Sequence, residues 1–305
     1  MVERHPLLRT VSAIVLLLAA LLALAPIYVA LCTASVSAAQ SLAQGPALVP
    51  GTRLIENLRE VMRHTQLRRM LLNSALVALI VVAGKLALAS STAFAAVYFR
   101  SRLRHVIFCV VFVALLLPLE VRIVPTYAVA ANLFGPLQGL LDASGLTRWL
   151  AAVAHVHVAL SLNLLDTYAG LSLPIMASAT GTFLFRQFYL SVPPELSEAA
   201  RMDGAGPLRF FIDILLPVSR TNFAALGVIT FLSTWKDYMW PLIATSHPAM
   251  RTIALGIASF APSDADPAPE WNLIMAAALI ALLPPLLVVA LAQRWFVRGM
   301  VGVSK

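Results

Sequence analysis

The sequence predicts an all-α membrane protein with six transmembrane helices, and three observations carry that expectation. Of 305 residues, 60% are hydrophobic and only 12% charged, against about 25% charged in a soluble domain; mean hydropathy is +0.86. The apolar residues gather into runs, most of them reaching the roughly 20 residues that cross about 30 Å of hydrocarbon. Lys and Arg stand in small groups beside those runs, as in the loops of membrane proteins. That placement assigns the net charge of +8 to a lipid bilayer and not to nucleic acid. Cys32 and Cys109 lie far apart in apolar surroundings and imply neither a disulfide framework nor a metal site.

The first span is expected over residues 11–31. Its basic start and the small residues of "SVSAAQ" imitate a secretory signal, but the run exceeds a signal core of about 7–15 residues, so it is read as uncleaved. The others are expected over 70–98, 106 to about 134, 166–188, 218–243 and 273–292. Arg100, Arg102 and Arg104 follow the second span, Arg294, Arg298 and Lys305 follow the last, and Arg4 and Arg9 precede the first. All three groups read as cytoplasmic, which puts both termini inside. The 33–69 loop fits less well, since Arg53, Arg59, Arg63, Arg68 and Arg69 then lie outside, an objection that its length and Glu56 and Glu60 soften. Residues 149–165 are almost long enough for a seventh span, but an odd number of crossings would put one basic group outside; they are read as an interfacial or re-entrant helix on the outer side. His155 and His157, two apart, do not share a helix face, so no metal pair is expected.

The most informative stretch is charged, broken by glycine and set between apolar runs: "LSEAARMDGAGPLRFFIDILLP", residues 196–217. Pro193 and Pro194 suit a helix start, where a missing N–H costs nothing. Gly204 is a natural stop, and Gly206 with Pro207 opens a second helix. The local reading is a helix–turn–helix knob over 191–217. The spacing of Glu198, Ala199 and Ala200 through Asp203, Gly204 and Ala205 to Pro217 resembles the EAA loop of ABC importer permeases. The resemblance extends to "RMLLNS" (69–74), "LPLEVRIVPTY" (117–127), "SLPIMASATGTFLFRQF" (172–188) and "QRWFVRGMV" (293–301). Together these resemble the carbohydrate-uptake branch that includes the maltose permeases, and within it the second permease subunit of the sn-glycerol-3-phosphate importers. Thr221 departs where many relatives have proline, and the insert at about 134–163 has no counterpart of that length.

The resemblance implies one domain over 1–305 with the type I ABC importer permease fold in a bacterial inner membrane. It also implies a heterodimer with a homologous permease, a dimeric cytoplasmic ATPase that uses ATP and Mg, and an external substrate-binding protein. The loop would be the coupling helix docked on that ATPase: Glu198 for polar contacts, Ala199 and Ala200 for close packing, Gly204 for the turn. The chain itself has no G-x-x-x-x-G-K-[ST] loop, no H-E-x-x-H and no G-x-S-x-G, so it is expected to hold no cofactor and carry out no catalysis.

Substrate contacts are expected from polar residues inside the spans, because charge at membrane depth is costly and usually faces the bundle interior or a watery path. Arg122 with Glu120, Lys236 with Asp237, Lys85, and Asn73 with Ser74 qualify. A guanidinium can hold phosphate by two parallel hydrogen bonds; equally, Arg122 can pair with Glu120 or anchor at the interface. Lys236 can be cancelled by Asp237, and Lys85 can snorkel or meet a partner helix. Trp235, Tyr238 and Trp240 read as an interfacial aromatic belt, and Pro284-Pro285 as a packing kink. The leading expectation is import of glycerol 3-phosphate or a glycerophosphodiester by alternating access. The alternatives are a sugar importer, an ion-gradient transporter that would need Glu120 or Asp237 as coupling groups, and a structural membrane subunit.

Overall fold

The structure is a computed structural model that describes residues 6–64, 66–99, 106, 108–109, 112–113, 116–154, 160–260 and 270–301. Arg4, Arg100, Arg102, Arg104, Lys305, His155 and His157 lie outside the described residues, as do the side chains of Glu120, Arg294 and Arg298. The main elements are α1 (Pro6–Ala34), α2 (Ala38–Gln44), α3 (Leu54–His64), α4 (Leu67–Tyr98), α5 (Leu119–Ala131), α6 (Gly135–Ala143), α7 (Leu146–Ala154), α8 (Tyr168–Met176), α9 (Ala179–Ser191) and α10 (Pro194–Met202). They continue with α11 (Pro207–Val218), α12 (Arg220–Trp235), α13 (Met239–Ala244), α14 (Ile253–Ala258) and α15 (Trp271–Val301). The described elements are all helical, as expected.

Among the described residues, three helices are long and apolar enough to cross a bilayer: Leu8–Ala34, Leu67–Tyr98 and Trp271–Gln293. They match the first, second and sixth expected spans, and α15 continues through Pro284-Pro285 as helix. The other three depart from single straight rods. The expected third span is interrupted at Leu117-Pro118, where proline lacks a donor and restricts the residue before it, and the helix resumes only at Leu119. The expected fourth span is two helices, α8 and α9, bent by 48°. The expected fifth starts at Arg220 after a 73° bend from α11, ends at Trp235 and passes through a break into α13.

The chain divides into two compact units. In the unit of Met1–Leu71 and Leu255–Pro284, α1 exposes apolar side chains along most of its length, as suits a helix whose solvent is lipid. Its end is fastened by Asn57, whose Nδ2 donates to Ala34 O (2.8 Å) and Val36 O (2.9 Å). Gly51 N donates to Ser35 Oγ, and any Cβ at Gly51 would enter the Ser35 carbonyl.

In the unit of Leu72–Ala254 and Pro285–Lys305, two apolar clusters lie along α4. One joins Val77, Val81, Ala130, Leu171, Trp240 and Ala244; the other joins Ala89, Phe94, Phe185, Tyr189, Ala200, Phe210 and Leu226. The insert at 134–163 is not the single helix expected over 149–165. It forms the paired short helices α6 and α7, and 160–164 has no regular structure. That return leg is stitched to α5 by Leu133 N–H to Leu162 O (2.9 Å) and Leu164 N–H to Ala130 O (2.8 Å). Irregular backbone needs such partners. Asn132 Oδ1 adds two, accepting from Phe134 N and Leu162 N.

Candidate functional site

The knob forms as the sequence reads. Pro194 opens α10, Gly204 ends it with φ +74°, and Gly206 precedes Pro207 at the start of α11. A Cβ at Gly204 would meet nothing within 4 Å. The demand for glycine there is therefore backbone sterics alone, since a left-handed residue with a Cβ costs roughly 1–2 kcal/mol. Glu198, Ala199, Arg201, Met202 and Asp203 are exposed, whereas Ala200 is buried. Of the two alanines read as packing sites, only Ala199 is therefore free at the surface; Ala200 packs inside the chain.

What Ala200 packs into is an aromatic clamp between the knob and the last turns of α4. Phe94 lies 4.8 Å from Phe211 and Tyr98 lies 5.2 Å from Phe210, centroid to centroid. Tyr98 and Tyr189 extend the cluster. Such pairs contribute about 0.5–1.5 kcal/mol each beyond their buried area, so several together resist separation of the knob from α4. A cavity of about 320 Å³ remains between them, lined by Phe94, Tyr98, Ser197, Ala200, Arg201 and Phe210 among others. Within α11, Phe211–Leu215 forms a π-turn, a feature common at functional sites. Ser219 Oγ donates to Leu215 O at the 73° bend. Sequence reasoning found the knob but not the clamp; the signal was the paired aromatics of "AVYF" and "RFF", 113 residues apart from Tyr98 to Phe211.

At the opposite end of α4, Asn73 is buried and its amide is engaged within the chain. Nδ2 donates to Ala249 O (2.9 Å) and Arg251 O (3.0 Å), and Oδ1 accepts from Tyr168 Oη (2.7 Å). Ser74 Oγ accepts from Ile253 N–H (2.8 Å). The structure thus gives both residues a fastening job. Asp166, which sequence reasoning passed over except as a span boundary, adopts φ +57° and accepts at Oδ1 from Ser246 N (2.7 Å) and His247 N (2.8 Å). Asp is one of the few residues that tolerates that conformation, which was the available signal.

Trp235 and Trp240 are buried, which corrects the expected aromatic belt; Tyr238 alone of the three is exposed. For Trp240 the cause is Pro174, which cannot donate to the carbonyl four residues earlier in α8. That carbonyl, Gly170 O, instead accepts from Trp240 Nε1 at 3.1 Å. A freed carbonyl in a membrane helix needs such a substitute. Gly170 also lies so close to Leu164 that a Cβ would enter its carbonyl.

Of the charged candidates, Lys236 is exposed at the break after α12, and Asp237 is half-buried with Oδ1 3.5 Å from Trp240 N. Glu120 lies in α5, its side chain outside the described residues. Arg122 is half-buried, and its Nε is fully buried with no hydrogen-bond partner among the described residues. Lys85 is half-buried in α4 one turn after Val81, and Ile123, beside Arg122, packs against the cluster that contains Val81. The sequence offered both cations but not the shared cluster beside them.

The permease protein UgpE of an sn-glycerol-3-phosphate transport system from Rhizobium meliloti is 41% identical to this chain over 312 residues, covering 100% of both. The protein of that name from Yersinia pseudotuberculosis is 43% identical over 311 residues, again covering 100% of both. Among solved structures, a bacterial ABC transporter that imports the acidic polysaccharide alginate superposes with a TM-score of 0.71 at 19% identity, over 97% of this chain and 99% of its own; that likeness concerns the fold. Residues 85–302 match the family of binding-protein-dependent transport system inner membrane components, and the chain belongs to that family of ABC importer permeases.

Proposed function

We propose that this chain is one half of the transmembrane pathway of an ABC importer that moves sn-glycerol 3-phosphate inward by alternating access. The observation that carries the substrate reading is identity of 41–43% along the full length of relatives named as sn-glycerol-3-phosphate permeases. The partners are a homologous permease, a dimeric ATPase that hydrolyses ATP with Mg, and an external binding protein. The termini and the knob face the cytoplasm, and the insert at 134–163 faces outward.

The knob supplies the coupling. Glu198, Ala199 and Asp203 present a rigid exposed surface to the ATPase, with Gly204 holding the turn and Ala205 to Pro217 leading into the membrane. When the ATPase pair closes on ATP, the knob moves, and the aromatic clamp carries that movement into α4. One lever thus runs from the knob to the helix that holds Lys85 near its middle and Asn73 toward its far end. Because α4 is held at the far end by Asn73 and Ser74, the movement tilts it instead of letting it slide.

Uptake of labelled glycerol 3-phosphate in cells with and without this chain tests the reading, with a neutral disaccharide run in parallel. Loss of phosphate uptake alone is expected. Loss of disaccharide uptake alone would overturn the substrate assignment and leave the coupling in place.

A further inference from the structure

We propose that Lys85 and Arg122 together receive the phosphate group of the cargo at the middle of the bilayer, a role that rests on the glycerol-phosphate reading above. The two cations come from helices packed in one cluster: Val81, one turn before Lys85, and Ile123, beside Arg122, both belong to it. Neither cation makes an ion pair with a carboxylate among the described residues.

A buried guanidinium N–H without an acceptor is costly to hold. Ionisable groups at membrane depth that lack a resident partner mark a path for a charged cargo. Arg122 Nε has no acceptor among the described residues.

A third feature points to the same depth. A Cβ at Gly84 would meet Met176, and one at Gly181 would meet the Ala89 side chain, so α4 runs beside α8 and α9 in the same direction. The Ala177-Ser178 break therefore lies beside the 84–89 segment that begins next to Lys85. The N-terminus of the 13-residue α9 opens at this break, with Ser178 as its cap. Half-helix N-termini at the membrane midplane favour anionic groups through their partial positive charge.

The chemistry selects a phosphate monoester. Its charge of about −1.5 to −2 at neutral pH offsets both cations, where a neutral sugar offsets neither and a phosphodiester only one. The planar fork of Arg122 matches two phosphate oxygens, and the Lys85 ammonium serves the third as a point charge. Occupancy is transient, because the tilt of α4 that follows ATPase closure carries Lys85 with it.

The test uses the complete transporter in liposomes with its binding protein saturated. Lys85→Met and Arg122→Gln should each slow glycerol 3-phosphate uptake more than tenfold and slow a glycerophosphodiester less. Lys85→Arg should retain at least half of the wild-type rate. Wild-type rates in both neutral variants would overturn the proposal. A defect confined to liposomes that contain anionic lipid would overturn it too, by assigning the pair to lipid headgroups. If the neutral variants do not assemble, Arg122→Lys, which keeps the charge but loses the fork, should raise KM for glycerol 3-phosphate several-fold; an unchanged KM would contradict the proposal. A wild-type transporter that imports no glycerol 3-phosphate would instead defeat the substrate reading itself.

Discussion

The two ends of α4 are held by opposite kinds of chemistry. At the knob end the contacts are aromatic and non-directional: Phe94, Tyr98, Phe210 and Phe211 stack around Ala200. At the far end they are directional hydrogen bonds: Asn73 to Ala249, Arg251 and Tyr168, and Ser74 to Ile253, while Asp166 to Ser246 and His247 and Trp240 to Gly170 tie the neighbouring segments to each other. A greasy joint transmits force while tolerating small slips; a hydrogen-bonded joint keeps one geometry or fails. In the proposed coupling the far end is a fixed pivot and the knob end a movable grip.

The sharpest way to break the pivot is Gly170→Ala, whose Cβ would enter the Leu164 carbonyl. Overpacking and the disturbed Trp240 bond together should cost on the order of 3 kcal/mol, read as a large fall in the thermal midpoint in detergent and little folded protein in the membrane. Next comes Asp166→Ala, which loses the one acceptor shared by two backbone N–H groups and leaves an alanine at φ +57°; about 2 kcal/mol is expected. Asp166→Asn keeps the Oδ1 acceptor and the left-handed tolerance, so its midpoint should stay near wild type.

The grip should respond differently. Phe211→Ala removes one stacked pair, and about 1 kcal/mol of stability is expected to go with it; uptake should fall several-fold while the amount of folded protein holds. A transport loss no larger than the stability loss would remove the distinction between grip and pivot. The smallest effect is expected from Arg209→Ala. Its 3.3 Å ion pair with Asp213 joins side chains that are 73% and 56% exposed, and such pairs contribute about 0–0.5 kcal/mol.

The same contrast explains what could be read from the sequence. The knob was legible because its chemistry is local: Pro194, Gly204, Gly206 and Pro207 act on their own backbone within a few residues. The spans of α1, α4 and α15 were legible because apolar length alone decides them. The pivot was not, because each of its bonds joins residues far apart in sequence, as with Asn73 and Ala249, 176 positions apart. Trp235 and Trp240 followed a rule for interfacial aromatics but were claimed by local events elsewhere, Trp240 by the carbonyl that Pro174 sets free. The breaks at Pro118 and after Met176 were visible as prolines in apolar runs, but hydropathy sums across them as though the helix continued.

The central claim is that the turn at Gly204 makes the knob a rigid lever for α4. The most direct measurement is glycerol 3-phosphate transported per ATP hydrolysed in the reconstituted transporter, for wild type, Gly204→Asn and Gly204→Val. Asparagine tolerates the left-handed conformation and should preserve most of the ratio. Valine should lower it at least tenfold with the protein still folded in the membrane, because open space around the site means no packing is disturbed. A valine variant that transports at the wild-type ratio would contradict the account.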